Sequence, residues 1–376
     1  MLRIVADNKI PFLKGALEPY AEMIYMPGNE ISKEILMHSD AMLIRTRTKC
    51  NESLLKGTNV RFIGTATIGF DHIDTSYCDK NKISWTNAPG CNSSSVQQYI
   101  CAALLKLASK NNFRLKNKTL GIIGVGNVGS KVEKFARMIG MNVLLNDPPR
   151  EREEGKRIFH NLVTVLSESD IVTVHVPLNM TCDDHTFHLF NAAVFRQIKR
   201  NSWFINSSRG EVTDTRDLKE ALTTGILGGA ITDVWENEPV IDLALMNMVS
   251  VATPHIAGYS TDGKANGTAM MVNAISKYFN LPLVKWYPEN IPAPDSPIIS
   301  INCEGKSEED IIREAVFHTY NIDEDNNRLR LSPFEFEKLR GNYPVRREFT
   351  SYTVDMSGGN DEVRQILRGL GFSISN

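Results

Sequence analysis

The stretch TLGIIGVGNVGSKVEKFARMIGMNVLLND, residues 119–147, decides the fold. It sets Gly124, Gly126 and Gly129 at G-x-G-x-x-G spacing behind an apolar run and ahead of a helical pattern. A second apolar run follows and ends in Asp147. The glycine spacing alone is a weak signal, but between a strand and a helix it has a mechanism. Glycines let the turn tighten and the backbone approach a pyrophosphate, while the helix N-terminus offers oriented N–H donors. A carboxylate closing the second strand accepts hydrogen bonds from ribose hydroxyls. Its charge also disfavours the extra phosphate of NADP, although Arg150 and Arg152 follow nearby. The bland alternative, a glycine turn beside a surface aspartate, accounts for the residues but not for their order.

Upstream, short apolar runs (LRIVAD, AMLIRT, VRFIGTAT, ISWTNAP) alternate with helix-length segments, the pattern of a parallel sheet with crossover helices. NSSSVQQYICAALLKLASKN then repeats apolar residues at helical spacing behind an Asn/Ser cap. Downstream of the glycine turn, DIVTVHVP, SWFINSS, GGAITDV and VSVATPH are continuous apolar runs, as expected for strands covered on both faces. Residues 260–280 read as one long helix. The proline-rich LPLVKWYPENIPAPDSP, residues 281–297, is the best linker candidate. Beyond it, IISINCEG, a helix near 307–320, RREFTSYTVDM and DEVRQILRGLGF predict a small α+β tail. The fold class expected is α/β, two doubly wound parallel-sheet domains plus that tail.

Composition narrows the function classes. The 376 residues suffice for two or three domains, and the 42% hydrophobic and 23% charged content is that of an ordinary globular chain. A formal net charge of −2 argues against a general nucleic-acid partner. No apolar run approaches the ~18 residues of a membrane helix, so no membrane partner is expected. MLRIVAD reads as a first strand, so no signal peptide is expected. Cys50, Cys78, Cys91, Cys101, Cys182 and Cys303 form no C-x-x-C, and no histidine cluster has metal spacing. Reduced thiols, a cytoplasmic protein and no metal site are the expectation.

Three further segments close apolar runs where an open α/β sheet carries its ligands: NSSRGEV with Arg209, ITDVWENEP with Asp233 and Glu238, and ATPHIAG with His255. Singly, each residue has a bland reading: a surface charge, a strand end, a turn cap, a satisfied polar group. Jointly they set a side chain that can give and take protons near neutral pH in the company of two carboxylates and a guanidinium.

Together with the glycine turn, these segments resemble the D-isomer-specific 2-hydroxyacid dehydrogenase family in order and spacing, over roughly residues 1–285. The resemblance implies NAD as cofactor and hydride transfer from C2 of a 2-hydroxy acid. It implies His255 as acid/base, Glu238 as its partner, Arg209 on the substrate carboxylate and the cofactor, and Asp233 beside the nicotinamide carboxamide. Gly124, Gly126, Asn127, Val128, Gly129, Asp147, Ser207, Ser208 and Gly258 would complete the cofactor site. Thr46, Thr67 and Tyr259 match substrate contacts.

A closer likeness, to members acting on 4-phospho-D-erythronate on the way to pyridoxal 5′-phosphate, is carried by several segments. They are RTRTKCNESLL (45–55), GTATIGFDHID (64–74), APGCNSSSV (88–96), NDPPR (146–150), TPHIAGYSTDGKANGT (253–268) and FEFEKLRGNYPVRREF (334–349). One departure is Phe70, where related enzymes carry a small polar residue. A phosphorylated substrate needs a second cation, for which Arg45, Arg47, Arg346 and Arg347 are candidates.

The implied organisation is a substrate-binding domain of residues 1–93 and 258–288, an inserted NAD-binding domain of 94–257, and a C-terminal domain of 292–376 forming a homodimer. Alternatives are a phosphoglycerate dehydrogenase, or a nucleotide-sensing corepressor-like binding protein on the same fold. The corepressor type can keep the Arg/Glu/His set, so only the closer likeness and the tail speak against it.

Overall fold

Each apolar run of the N-terminal segment becomes a parallel strand whose alternate side chains enter two different cores. The computed structural model describes residues 1–155, 158–180 and 183–375. The chain divides into two units, Met1–Asn92 with Ser260–Pro292, and Ser93–Tyr259 with Ala293–Asn376.

In the first unit the strands are β1 (Arg3–Asp7), β2 (Glu22–Met26), β3 (Ala41–Ile44), β4 (Phe62–Thr65) and β5 (Ser84–Thr86). They pair in the order β2-β1-β3-β4-β5, all parallel. Ile4, Ala6 and Leu43 point to one face, against Met271, Val272 and Ile275 of the helix Thr261–Tyr278. Val5, Met42, Ile44 and Ile63 point to the other, against Leu36, Leu55 and Cys78. A period of two with both faces covered makes the runs continuously apolar. The edge strand β2 was not anticipated. Its EMIYM is exposed or half-buried throughout, so it lacks the signal of its neighbours.

The second unit holds β6 (Thr119–Ile123), β7 (Asn142–Asn146), β8 (Ile171–Val174), β9 (Ser202–Asn206), β10 (Leu227–Thr232) and β11 (Val251–Ala252). Their order is β11-β10-β9-β8-β6-β7, again all parallel. A parallel bridge from Leu145 to Phe159 lies beyond β7, where a dinucleotide fold has its third strand. Leu120, Ile122, Ile205 and Ile231 pack with the helix Ser93–Lys110, and Ile123, Val172, Val174 and Phe204 form the opposite core. The chain leaves β6 for β7 on one side and returns to β8 on the other. The carboxyl ends of β6 and β8 therefore flank a topological switch point, the place where such sheets bind ligands.

The tail adds a parallel sheet, β12 (Ile298–Asn302), β13 (Thr353–Ser357) and β14 (Ser373–Ile374), in that order. Its Ile301, Val354, Ile312, Val316 and Leu367 belong to the same core cluster as Leu104 and Leu107 of the helix Ser93–Lys110. A further helix, Ile322–Leu331, covers the edge of β11. Asn326 accepts the Ala252 N–H at 2.9 Å, and Arg330 donates to the carbonyls of Met246 and Val249. The expected class, two parallel-sheet α/β folds and a small α+β tail, is borne out. Among the described residues no helix is long and apolar enough to cross a membrane.

Candidate active site

The glycine turn joins β6 to the helix Gly129–Met138, and its three glycines answer three separate demands. Gly124 has φ +86, and a Cβ there would meet the His175 carbonyl at 2.6 Å. A Cβ on Gly129 would meet the Gly124 carbonyl at 2.1 Å, so the third glycine lets helix and strand close together. Gly126 faces open space, with nothing within 4 Å of the missing Cβ. Gly126 and Asn127 are exposed, and Val128 is the half-buried N-cap of the helix. Backbone there is left accessible at a helix N-terminus, which suits a pyrophosphate.

Asp147 closes β7 almost fully buried, and its carboxylate accepts the Val125 N–H at 2.7 Å and the Arg150 N–H at 3.1 Å. It thus ties the second strand to the glycine turn, beside the position the ribose needs. Arg150 is occupied by the Glu154 carboxylate, at 2.6 and 2.8 Å, and by the Val125 carbonyl at 2.6 Å. His175, just past the end of β8, is half-buried, and desolvation pushes its pKa down to about 3, so it is neutral.

The loop after β9 is organised by Asn206. Its Oδ1 accepts from the Ser208 N–H and hydroxyl, and its Nδ2 donates to the Arg209 carbonyl. Arg209 spends one N–H on the Ser208 carbonyl at 2.8 Å. The Ser207 hydroxyl oxygen is buried with no hydrogen-bond partner among the described residues. An orphaned buried hydroxyl just past the carboxyl end of β9 fits a bound dinucleotide.

Asp233 ends β10 and is 1% exposed. Its Oδ1 accepts the Thr253 hydroxyl at 2.6 Å and the Ile256 N–H at 2.8 Å, and its Oδ2 accepts the Ala257 N–H at 2.9 Å. The His255 N–H donates to the Asp233 carbonyl at 2.7 Å. One aspartate therefore fixes the loop that carries His255, which adopts φ +56. Glu238 accepts the Trp235 N–H on Oε1 at 2.9 Å and meets His255 Nδ1 with Oε2 at 2.7 Å. Burial pushes the Glu238 carboxyl up. The His255 charge and hydrogen bond, the Trp235 N–H and Arg340 outweigh it and hold the group below its usual 4.5. An ionised carboxylate only accepts, so Nδ1 carries the proton and Nε2 presents its lone pair. Gly258 and Tyr259 follow, both half-buried.

Arg209, Asp233, Glu238, His255, Tyr259 and the glycine turn all lie in the second unit, whereas Thr46 and Thr67 lie in the first. Thr46 is exposed. Thr67 Oγ1 donates to the Gly69 carbonyl at 2.9 Å and sits 2.7 Å from Thr65 Oγ1, which in turn lies 3.0 Å from His72 Nε2. Phe70 is 43% exposed and tilts against Trp85 at 5.1 Å.

The four arginines proposed for a phosphate diverge. Arg45 is half-buried and donates to the Lys9 carbonyl at 3.2 Å, while Arg47 is exposed. Arg347 is half-buried. Arg346 is 4% exposed and lies 4.5 Å over the Tyr320 ring. Its Nη2 donates to Ser95 and, at 2.6 Å, to the Ala257 carbonyl. It is a structural tie between tail and His255 loop.

Asn206, Thr253 and Arg340 lie in motif segments, yet sequence reasoning gave them no role, because their roles depend on contacts that only the folded chain makes. Cys50, Cys78, Cys91, Cys101 and Cys303 are free and buried, and Cys182 lies outside the described residues.

Residues 97–257 match the family described as "D-isomer specific 2-hydroxyacid dehydrogenase, NAD binding domain", and residues 292–371 match "Domain of unknown function (DUF3410)". The chain is 50% identical over 354 residues to an erythronate-4-phosphate dehydrogenase of Bacteroides thetaiotaomicron, covering 94% of this chain and 99% of that one. It is 40% identical over 372 residues to the enzyme of the same name from Porphyromonas gingivalis, covering 99% and 100%. Among solved structures it is similar to D-lactate dehydrogenase of Aquifex aeolicus complexed with NAD and lactic acid. That likeness has 26% identity and a TM-score of 0.62, over 74% of this chain and 95% of that one. The family expected from the motifs is borne out: the chain belongs to the D-isomer-specific 2-hydroxyacid dehydrogenases and, within them, to the erythronate-4-phosphate dehydrogenases.

Proposed function

We propose that this protein oxidises 4-phospho-D-erythronate at C2 to the 2-oxo acid, a step toward pyridoxal 5′-phosphate, with NAD as cofactor. The carrying observation is the 2.7 Å contact of His255 Nδ1 with Glu238, which leaves Nε2 without a hydrogen bond among the described residues. Neutral His255 takes the C2 hydroxyl proton on Nε2 as the C2 hydride departs and the C2 carbonyl forms. Glu238 orients the ring and stabilises the imidazolium that results. Bound NAD supplies the hydride acceptor.

Arg209 keeps most of its planar fork for the substrate carboxylate. Asp233, whose Oδ2 accepts the Ala257 N–H and no other donor among the described residues, has capacity left for a carboxamide donor. The turn at Gly124, Gly126, Asn127, Val128 and Gly129, with Asp147, Ser207, Ser208 and Gly258, holds the cofactor. Thr46, Thr67 and Tyr259 contact the substrate.

Residues 1–93 with 258–288 serve the substrate, 94–257 serve NAD, and the tail from 292 serves a homodimer. Leu331 and Phe334, 84% and 88% exposed, support an apolar contact surface there. Buried free thiols fit a cytoplasmic enzyme.

Steady-state kcat/KM with NAD, for 4-phospho-D-erythronate against 3-phosphoglycerate, tests the reading. The expected result favours the four-carbon acid by at least about 10²-fold, or roughly 3 kcal/mol of transition-state discrimination. Preference for 3-phosphoglycerate returns the chain to the phosphoglycerate reading. No turnover of either, with NADH bound, favours a binding protein.

A further inference from the structure

The helix Phe336–Gly341, in the tail whose family match is a domain of unknown function, brings Arg340 over the Tyr259 ring and within electrostatic reach of Glu238. The Arg340 guanidinium lies 5.4 Å from the centroid of the Tyr259 ring and 5.8 Å from that of Phe336. Its side chain is 21% exposed, and its Nε is buried with no hydrogen-bond partner among the described residues. Its one ion-pair partner among them is Glu337, 3.2 Å away on the same helix and 44% exposed. The other acids whose charge reaches it are Glu238 and Asp233. Glu238 is engaged by Trp235 and His255, and Asp233 by Thr253, Ile256 and Ala257. Burial opposes the Arg340 charge, yet Tyr259, Glu238, Glu337 and Asp233 together keep the guanidinium firmly protonated.

A desolvated cation with a donor unspent is costly in a site built only for packing, because burying charge without a full set of partners is unfavourable. An anion arriving at the acid/base pair removes that cost. Arg346, whose Nε is also buried and unpartnered, does not compete for it. At 4% exposure, with its Nη groups committed to Ser95, Ala257 and Tyr343, it is closed to a ligand.

We propose that Arg340 receives the substrate's phosphate group, so that the tail sets the preference for phosphorylated over unphosphorylated 2-hydroxy acids. The inference rests on the reading that this site oxidises a phosphorylated acid with Arg209 on its carboxylate. Two charges on phosphate and a fork of guanidinium N–H groups make the match.

The test compares R340Q and R340K with the unmodified protein, on 4-phospho-D-erythronate and on D-erythronate. Inhibition constants replace KM wherever turnover is too slow. R340Q is expected to raise KM for the phosphorylated acid by at least about tenfold, the loss of one charge-assisted contact. KM for D-erythronate should rise far less than that for the phosphorylated acid, and NADH affinity by fluorescence should stay unchanged. R340K, which keeps the charge and the aliphatic stem, should recover part of the loss. Equal losses on both acids, or no loss on either, overturn the proposal. If the unmodified protein prefers 3-phosphoglycerate, the substrate reading fails on its own. Arg340 is then judged by the same comparison of 3-phosphoglycerate with glycerate.

Discussion

His255 sits in the left-handed region of backbone space, a conformation a non-glycine residue holds only when its surroundings impose it. Asp233 imposes it, through a carboxylate that binds the next two N–H groups and a carbonyl that binds the His255 N–H. Glu238 then fixes the ring, and its ionised state is what assigns the tautomer. Because the folded protein holds Glu238 below 4.5, its ionisation stabilises the fold above that pH. The benefit is lost as pH falls through the lower, folded value. Glu238→Gln keeps the shape without the charge. The unfolding temperature of the unmodified protein is expected to exceed that of the variant near neutrality, with the gap shrinking on acidification. A gap that widens as pH falls contradicts the assignment. The residue types at 209, 233, 238 and 255 were legible because each lies in a short polar segment that follows an apolar run. The double duty of Asp233, capping its neighbours' N–H groups, was not, since it depends on how the chain folds back from 253 to 257.

At the scale of elements, the tail is tied into the second unit by buried polar groups as well as by apolar ones. Arg346 reaches the first turn of the helix Ser93–Lys110 at Ser95 and the His255 loop at Ala257. Its charge also compensates Asp325, 3% exposed, which accepts the Tyr343 hydroxyl at 2.6 Å and the Tyr320 hydroxyl at 3.1 Å. Burial raises the Asp325 carboxyl above its usual 3.8 despite those hydrogen bonds and the neighbouring arginines. Arg346→Met removes one partner of a buried polar network and is expected to cost about 3–5 kcal/mol. Urea unfolding reads this directly. A cost below about 1 kcal/mol, the scale of an exposed pair, contradicts the structural role. From sequence, Arg346 and Arg347 looked equivalent, and only packing against Tyr320 separates them. The helix Ile322–Leu331 was equally hidden, because only Ile322 and Leu329 among its apolar residues are buried.

At the scale of the molecule, the same construction occurs twice, a parallel sheet with a core on each face, and that much followed from runs of apolar residues and one glycine turn. The chemistry follows from where strand ends place a few polar side chains in the second sheet. What periodicity left unread are the long-range ties, such as Arg340 to Tyr259, whose partners lie far apart in sequence. The central claim is hydride removal from C2 of a phosphorylated hydroxy acid. The measurement that tests it most directly follows 4-phospho-D-erythronate carrying deuterium at C2 through a single turnover with NAD, with both products read by mass spectrometry. The account predicts deuterium on the reduced nicotinamide and a 2-oxo acid that has lost it. Deuterium released to solvent, or retained in an unoxidised acid, would contradict it.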